Sequence, residues 1–208
     1  MPLSVFTKAC LVITLLFLVG CSSLPGSGSN KESTVKIPGG VKSPSGDEAT
    51  LTPADQAIML RAAAAMDAGN YPVAITEFKS LSISNPKLAM PYINLAIAYR
   101  AQQDADAAVR SIAQALKLSP NSPEANNIRG VLWRDAGEFT KARDSYAKAI
   151  GANEAYLDAQ LNLGILCDLY LQDLACAKKH YENYQSGSSS EDRTVKGWLI
   201  ELERRMKK

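Results

Sequence analysis

The residues best equipped for chemistry in this chain are four cysteines, Cys10, Cys21, Cys167 and Cys176, and a single histidine, His180. A thiolate is a nucleophile, and two thiols join where the compartment is oxidising. Cys10 stands inside an apolar run. Cys21 stands just beyond it, between Gly20 and Ser22, where small neighbours leave the thiol open to a processing enzyme. One histidine cannot assemble a histidine-rich metal site, and His180, next to Tyr181 on a predicted helix, is expected to be exposed. No glycine-rich phosphate loop and no serine elbow is present. Asp104, Asp106, Asp135 and Glu138 fall at predicted helix ends or faces, where capping and solvation account for them. These observations predict a non-enzymatic protein with no cofactor, no metal and no small-molecule substrate.

Composition changes along the chain, and the changes mark its parts. Residues 1–20 carry one charge, Lys8, followed by the apolar run Ala9 to Leu18. That run is shorter than the roughly 20 apolar residues a membrane span requires, but it suits a secretory signal. The sequence Leu18-Val19-Gly20-Cys21-Ser22 resembles the bacterial lipobox. The resemblance implies cleavage before Cys21, a diacylglyceryl group on its thiol and acylation of the new N-terminus, so the protein's lipid partner is a membrane held through Cys21. Several acyl chains anchor stably where one alone is marginal. Ser22 resembles the sorting pattern for the periplasmic face of an outer membrane. The formal net charge of +2 drops by one when Lys8 leaves, which gives no electrostatic footprint for nucleic acid. The basic end, Arg204, Arg205, Lys207 and Lys208, suits the negative pole of a helix C-terminus.

Residues 21–52 are rich in Ser, Gly and Pro with few large apolar side chains, and they read as a tether. A coil of that length spans roughly 30 Å. From Asp55 the chain repeats itself every 34 residues, as 55–88, 89–122, 123–156 and 157–191. Ala74, Ala108 and Ala142 recur in register, followed by Phe78, Ile112 and Tyr146, then by Leu81, Ala115 and Ala149. Earlier in each unit, Leu95-Ala96, Arg129-Gly130 and Leu163-Gly164 align, with Tyr99 and Trp133 three residues on. In the fourth unit Ala177 and Tyr181 come one residue late, which implies an insertion near Leu171-Gln172.

This pattern resembles the tetratricopeptide repeat. It implies an all-α superhelix of about four helix-turn-helix units, closed by a capping helix over 192–208 with an apolar stripe of Val195, Trp198, Leu199, Leu202 and Met206. Thr52-Pro53 and Ser122-Pro123 supply helix starts, and Gly69-Asn70 and Gly137 supply turns. Cys167 and Cys176 lie on the two helices of the fourth unit, about equally far from the turn. A disulfide and two separate buried thiols both remain open.

In such modules the first helices line a concave face that binds peptides. The residues expected there are Met59, Ala63, Ile93, Asn94, Ile97, Arg100, Val131, Arg134, Leu161 and Ile165. The places that grip a C-terminal carboxylate in one subfamily hold Met59, Ala63, Asn94, Glu124 and Ile128, of which Asn94 alone matches. An apolar row with Arg100 and Arg134 would instead suit a peptide or amphipathic helix of some acidic character, or else pack between neighbouring helices. The expected function is a membrane-anchored periplasmic scaffold for a protein partner. Lipoproteins of this kind resemble the pilotins of type IV pilus machines, adaptors of peptidoglycan hydrolases or synthases, and components of energised envelope complexes.

Overall fold

The computed structural model describes residues 51–207, so the signal segment, Cys21 and most of the tether lie outside the described residues. Within them the chain forms α1 (Pro53–Asp67), α2 (Tyr71–Ser84), α3 (Met90–Ala101), α4 (Ala105–Leu118), α5 (Pro123–Asp135), α6 (Phe139–Ala152), α7 (Leu157–Leu166), α8 (Leu174–Gly187) and α9 (Arg193–Met206). Consecutive helices pack as the pairs α1–α2, α3–α4, α5–α6 and α7–α8, and first helices also touch first helices (α3 on α5, α5 on α7). This is a tetratricopeptide-repeat superhelix.

Small residues on the first helices set how closely each pair approaches. Ala62, Ala96, Gly130 and Gly164 lie 34 residues apart and face Phe78, Ile112, Tyr146 and Tyr181 in the second helices. The clearest cases are the glycines. A Cβ on Gly130 would stand 2.5 Å from the Tyr146 ring, and one on Gly164 would stand 2.6 Å from Tyr181. Both rings are wholly buried.

Local chemistry fixes the helix ends. Thr52 Oγ1 accepts from the Asp55 N–H (3.1 Å) while the Asp55 carboxylate accepts from the Thr52 N–H, a reciprocal cap. Ser122 and Asp104 each accept from one N–H, of Ala125 and of Ala107, as simple one-way caps. Each within-unit turn passes through one left-handed residue, at Gly69, Gln103, Gly137 and Gln172. The first three lie 34 residues apart; the fourth comes one late. The extra residue is taken up as a π-helical turn, Cys167–Leu171, at the end of α7. The backbone bond that closes the turn shows it directly. Asp104 N–H donates to Tyr99 O and Glu138 N–H to Trp133 O, five residues back, whereas Asp173 N–H donates to Cys167 O, six back.

Helix α9 packs on α8 as a first helix packs on the unit before it. Val195 and Leu202 are buried, Trp198 and Leu199 are half-buried, and Trp198 lies 5.4 Å from Tyr181 between ring centroids. Met206, expected in the same stripe, is exposed. Arg205 turns inward to the buried carboxylate of Asp168, which also accepts from the Tyr181 hydroxyl. Its role is therefore an ion pair to the preceding unit, beyond the dipole contribution expected of it.

Candidate functional site

The face of α1, α3, α5 and α7 is more completely packed than a free apolar groove would be. Met59, Ile93, Ile97, Leu161 and Ile165 are buried, and Val131 is sealed at 1% exposure. First helices pack side by side, and these side chains fill the seams between them. Ala63, Asn94 and Arg100 are the members of the expected row that remain half-open to a partner. Asn94 donates to the Met90 sulfur at 3.1 Å. Asn162, its counterpart two units on, is buried and donates instead to Asn127 at 3.0 Å.

The two arginines are not equivalent, although they stand one repeat apart. Both converge on Asp135. Arg100 Nε donates to Oδ2 at 2.5 Å, and Arg134 Nη2 lies 3.5 Å from Oδ1. The Arg134 side chain is 4% exposed and that of Arg100 is 22%. The sequence left open whether the row with Arg100 and Arg134 meets a partner or packs between helices; the geometry gives one bridged set with a single excess positive charge, reachable through Arg100. Arg134 lies too deep to meet a partner, its side chain being buried on α5. Burial also raises the Tyr146 hydroxyl far above the ordinary phenol range, with Arg134 opposing the shift. That hydroxyl stays protonated and is no nucleophile.

Beside Arg100 and Asp135 opens a cleft of about 250 Å³ walled by Val109, Leu132 and Trp133. Its lining joins these apolar side chains to the Arg100–Asp135 ion pair, the combination a short peptide side chain fits. The Trp133 ring also lies under Lys141 (4.8 Å), and Tyr170 meets Phe139 in a tilted pair (4.8 Å). Leu169 and Tyr170 are exposed. Sequence periodicity missed this aromatic pair because Tyr170 belongs to the inserted turn and has no counterpart in the other units.

Cys167 and Cys176 are joined as a disulfide, with their Cα atoms 5.8 Å apart. It clasps the irregular turn, Cys167 entering from α7 and Cys176 leaving into α8. His180 differs from expectation. It is half-buried, and its Nδ1 lies 2.7 Å from Gln160 Oε1. Burial lowers its pKa, and Lys179 adds to the effect. His180 precedes Tyr181 as Ser145 precedes Tyr146 and Glu77 precedes Phe78, a second-helix position that meets the first helix in those units too. Among the described residues no group of three or more His, Cys, Asp or Glu is gathered as a metal site. No described helix is long and apolar enough to cross a membrane.

The Tetratricopeptide repeat family model matches residues 93–166, from α3 to the end of α7. No curated protein matches the sequence. Solved structures do. A thermophilic tetratricopeptide-repeat protein of Thermus thermophilus aligns over 71% of this chain and 80% of its own, at 19% identity and TM-score 0.63. PilF of Pseudomonas aeruginosa aligns over 74% of this chain and 69% of its own, at 17% identity and TM-score 0.67. The first repeat domain of RPAP3, solved with an HSP90 peptide, aligns over 58% of this chain and 96% of its own, at 20% identity and TM-score 0.54.

Proposed function

We propose that this chain is a non-enzymatic scaffold that holds a protein partner and is tethered to a membrane through acylated Cys21. The observation that carries the scaffold reading is the Arg100–Asp135 ion pair in the lining of an apolar cleft, on a stack of repeats. A repeat stack offers a long preformed surface at little entropic cost on binding. The RPAP3 domain of similar fold is seen with a peptide, which supports a peptide or helix as the occupant here. The lipobox-like segment and the Ser, Gly and Pro tether support anchorage at the periplasmic face of an outer membrane. The combination of a lipobox-like segment with a repeat module, which resembles the pilotins of type IV pilus machines, supports a place in assembling such an envelope machine or its secretin.

An adaptor of a cell-wall hydrolase or synthase, or of an energised envelope complex, is the alternative. Affinity purification of the full chain from membranes separates the two: co-purification of a secretin supports the first, and of a cell-wall enzyme the second. The Cys21→Ser variant should leave the membrane fraction. If it stays there unlabelled by palmitate, acylation at Cys21 is not the anchor.

A further inference from the structure

A second charged feature lies away from the Arg100 cleft and has a built-in control within the repeats. In the first unit Arg61 forms a two-point ion pair with Glu77, Nε to Oε1 and Nη2 to Oε2, each 3.0 Å. The equivalent positions in the second and fourth units hold Leu95 and Leu163. In the third unit the cation returns as Arg129, but the place of Glu77 is taken by Ser145. Arg129 Nε donates to Ser145 Oγ (3.2 Å) and Nη2 to Asn126 Oδ1 (2.7 Å), both neutral groups. Among the described residues Nη1 has no partner, and neither Arg129 nor Lys148 has a carboxylate partner.

A half-buried guanidinium without an anion is costly to keep. Its environment shows the cost: Glu77 raises the pKa of Arg61, whereas burial alone acts on Arg129 and lowers it. Arg129 and Lys148 line one cleft of about 690 Å³, together with Asn121, Asn126 and Gly151. The ends of α4 and α6 border it, at Leu116 and at Gly151–Ala152. Helix C-termini carry partial negative charge and free carbonyls. Those ends disfavour a small multivalent anion such as phosphate. They favour a peptide, which brings N–H donors for the carbonyls and a carboxylate for the two cations.

We propose that the cleft between α4, α5 and α6 recognises a carboxylate side chain of an acidic peptide segment, held between Arg129 and Lys148. The proposal rests on the reading that the partner is a protein, and it adds the partner's chemistry and a second point of contact. The third unit thus leaves to a partner the anion that the first unit supplies for itself.

The test is a titration of the full chain with acetyl-tetraglutamate-amide, acetyl-tetraglutamine-amide and inorganic phosphate, followed by the NMR signals of the Gly151 N–H and the Asn126 side-chain amide. Tetraglutamate should shift both signals saturably, and tetraglutamine should not. Arg129→Leu, which copies Leu95 and Leu163, and Ser145→Glu, which copies Glu77 and supplies an internal anion, should each weaken binding about tenfold or more. Unmoved signals, equal binding of tetraglutamine, full affinity in Arg129→Leu, or tighter binding of phosphate would each overturn it. If Arg100 still captures a partner when tetraglutamate leaves Gly151 unmoved, the scaffold reading stands and this one is lost.

Discussion

Replacing Gly130 by alanine should destabilise the protein, although the same change in an open helix position should do the opposite. Helix interiors favour alanine over glycine by about 1 kcal/mol, because glycine loses more backbone freedom on folding. At Gly197 in α9 and Gly151 in α6 an added Cβ meets nothing within 4 Å, so that gain is realised in full. At Gly130 the Cβ would stand 2.5, 2.6 and 3.0 Å from three ring atoms of Tyr146. Ordinary carbon contacts are about 3.5–4.0 Å, so the overlap is near 1 Å. The ring is fully buried and cannot swing into solvent, so α5 and α6 must part. Overpacking of this kind costs about 1–3 kcal/mol. Three ring atoms are struck at once, which places the cost in the upper half of that range. After subtracting the propensity gain, Gly130→Ala should lose about 1–2 kcal/mol, and Gly197→Ala should gain about 0.5–1 kcal/mol. Thermal unfolding followed by circular dichroism should show Tm lowered by about 3–6 °C in the first and raised in the second. A Gly130→Ala protein as stable as Gly197→Ala would refute the small-residue-under-aromatic account of the helix pairs.

Three further outcomes follow from the fourth unit and its cap. Reducing the Cys167–Cys176 bridge, which closes a loop with a sequence separation of 9, should cost about 2–3 kcal/mol; denaturant midpoints with and without reductant check this. Arg205→Ala removes a charged partner of Asp168, whose side chain is fully buried, and should cost about 1–3 kcal/mol, with Trp198 fluorescence reporting early release of α9. His180 should titrate below the ordinary histidine value of about 6.5. Its folded-state pKa is depressed, so the folded protein binds fewer protons than the unfolded chain. Its contribution is then full above about pH 6.5 and is lost as the pH falls below that. As the chain's single histidine it can be followed by one ring-proton signal, and a midpoint at or above 6.5 would contradict the burial argument.

The helix pairs and their register were legible because each depends on a residue type with one structural use. Ala96, Gly130 and Gly164 recur where helices touch, and Thr52 and Ser122 stand where helices begin. The turn at Gln103 was not announced, since glutamine carries no preference for the left-handed backbone it adopts there; the neighbouring repeats impose it. The insertion was placed to within a few residues by the late arrival of Ala177 and Tyr181. Its form, a π-helical turn ahead of Gln172, depends on how α7 ends against α8 and cannot be read from spacing.

The candidate site was less legible. Periodicity identifies which residues share a face but not how tightly neighbouring units close over it. For Ile93, Ile97 and Leu161 the spacing therefore left groove and seam both open, and the stacked helices bury them in the seam. Arg100 and Arg134 looked alike because they occupy the same place in successive units. Asp135, next to Arg134 in sequence, sits where both guanidiniums reach it, and that convergence is a property of the stacked helices.

Partner recognition is expected on the first-helix face around Arg100. The most direct measurement places a photo-crosslinking amino acid at Arg100 in the full chain, in living cells, with an identical substitution at exposed Arg110 on α4 as the reference. A discrete crosslinked protein partner should form from position 100 and be absent or much weaker from position 110. Equal capture from both positions, or from position 110 alone, would contradict it.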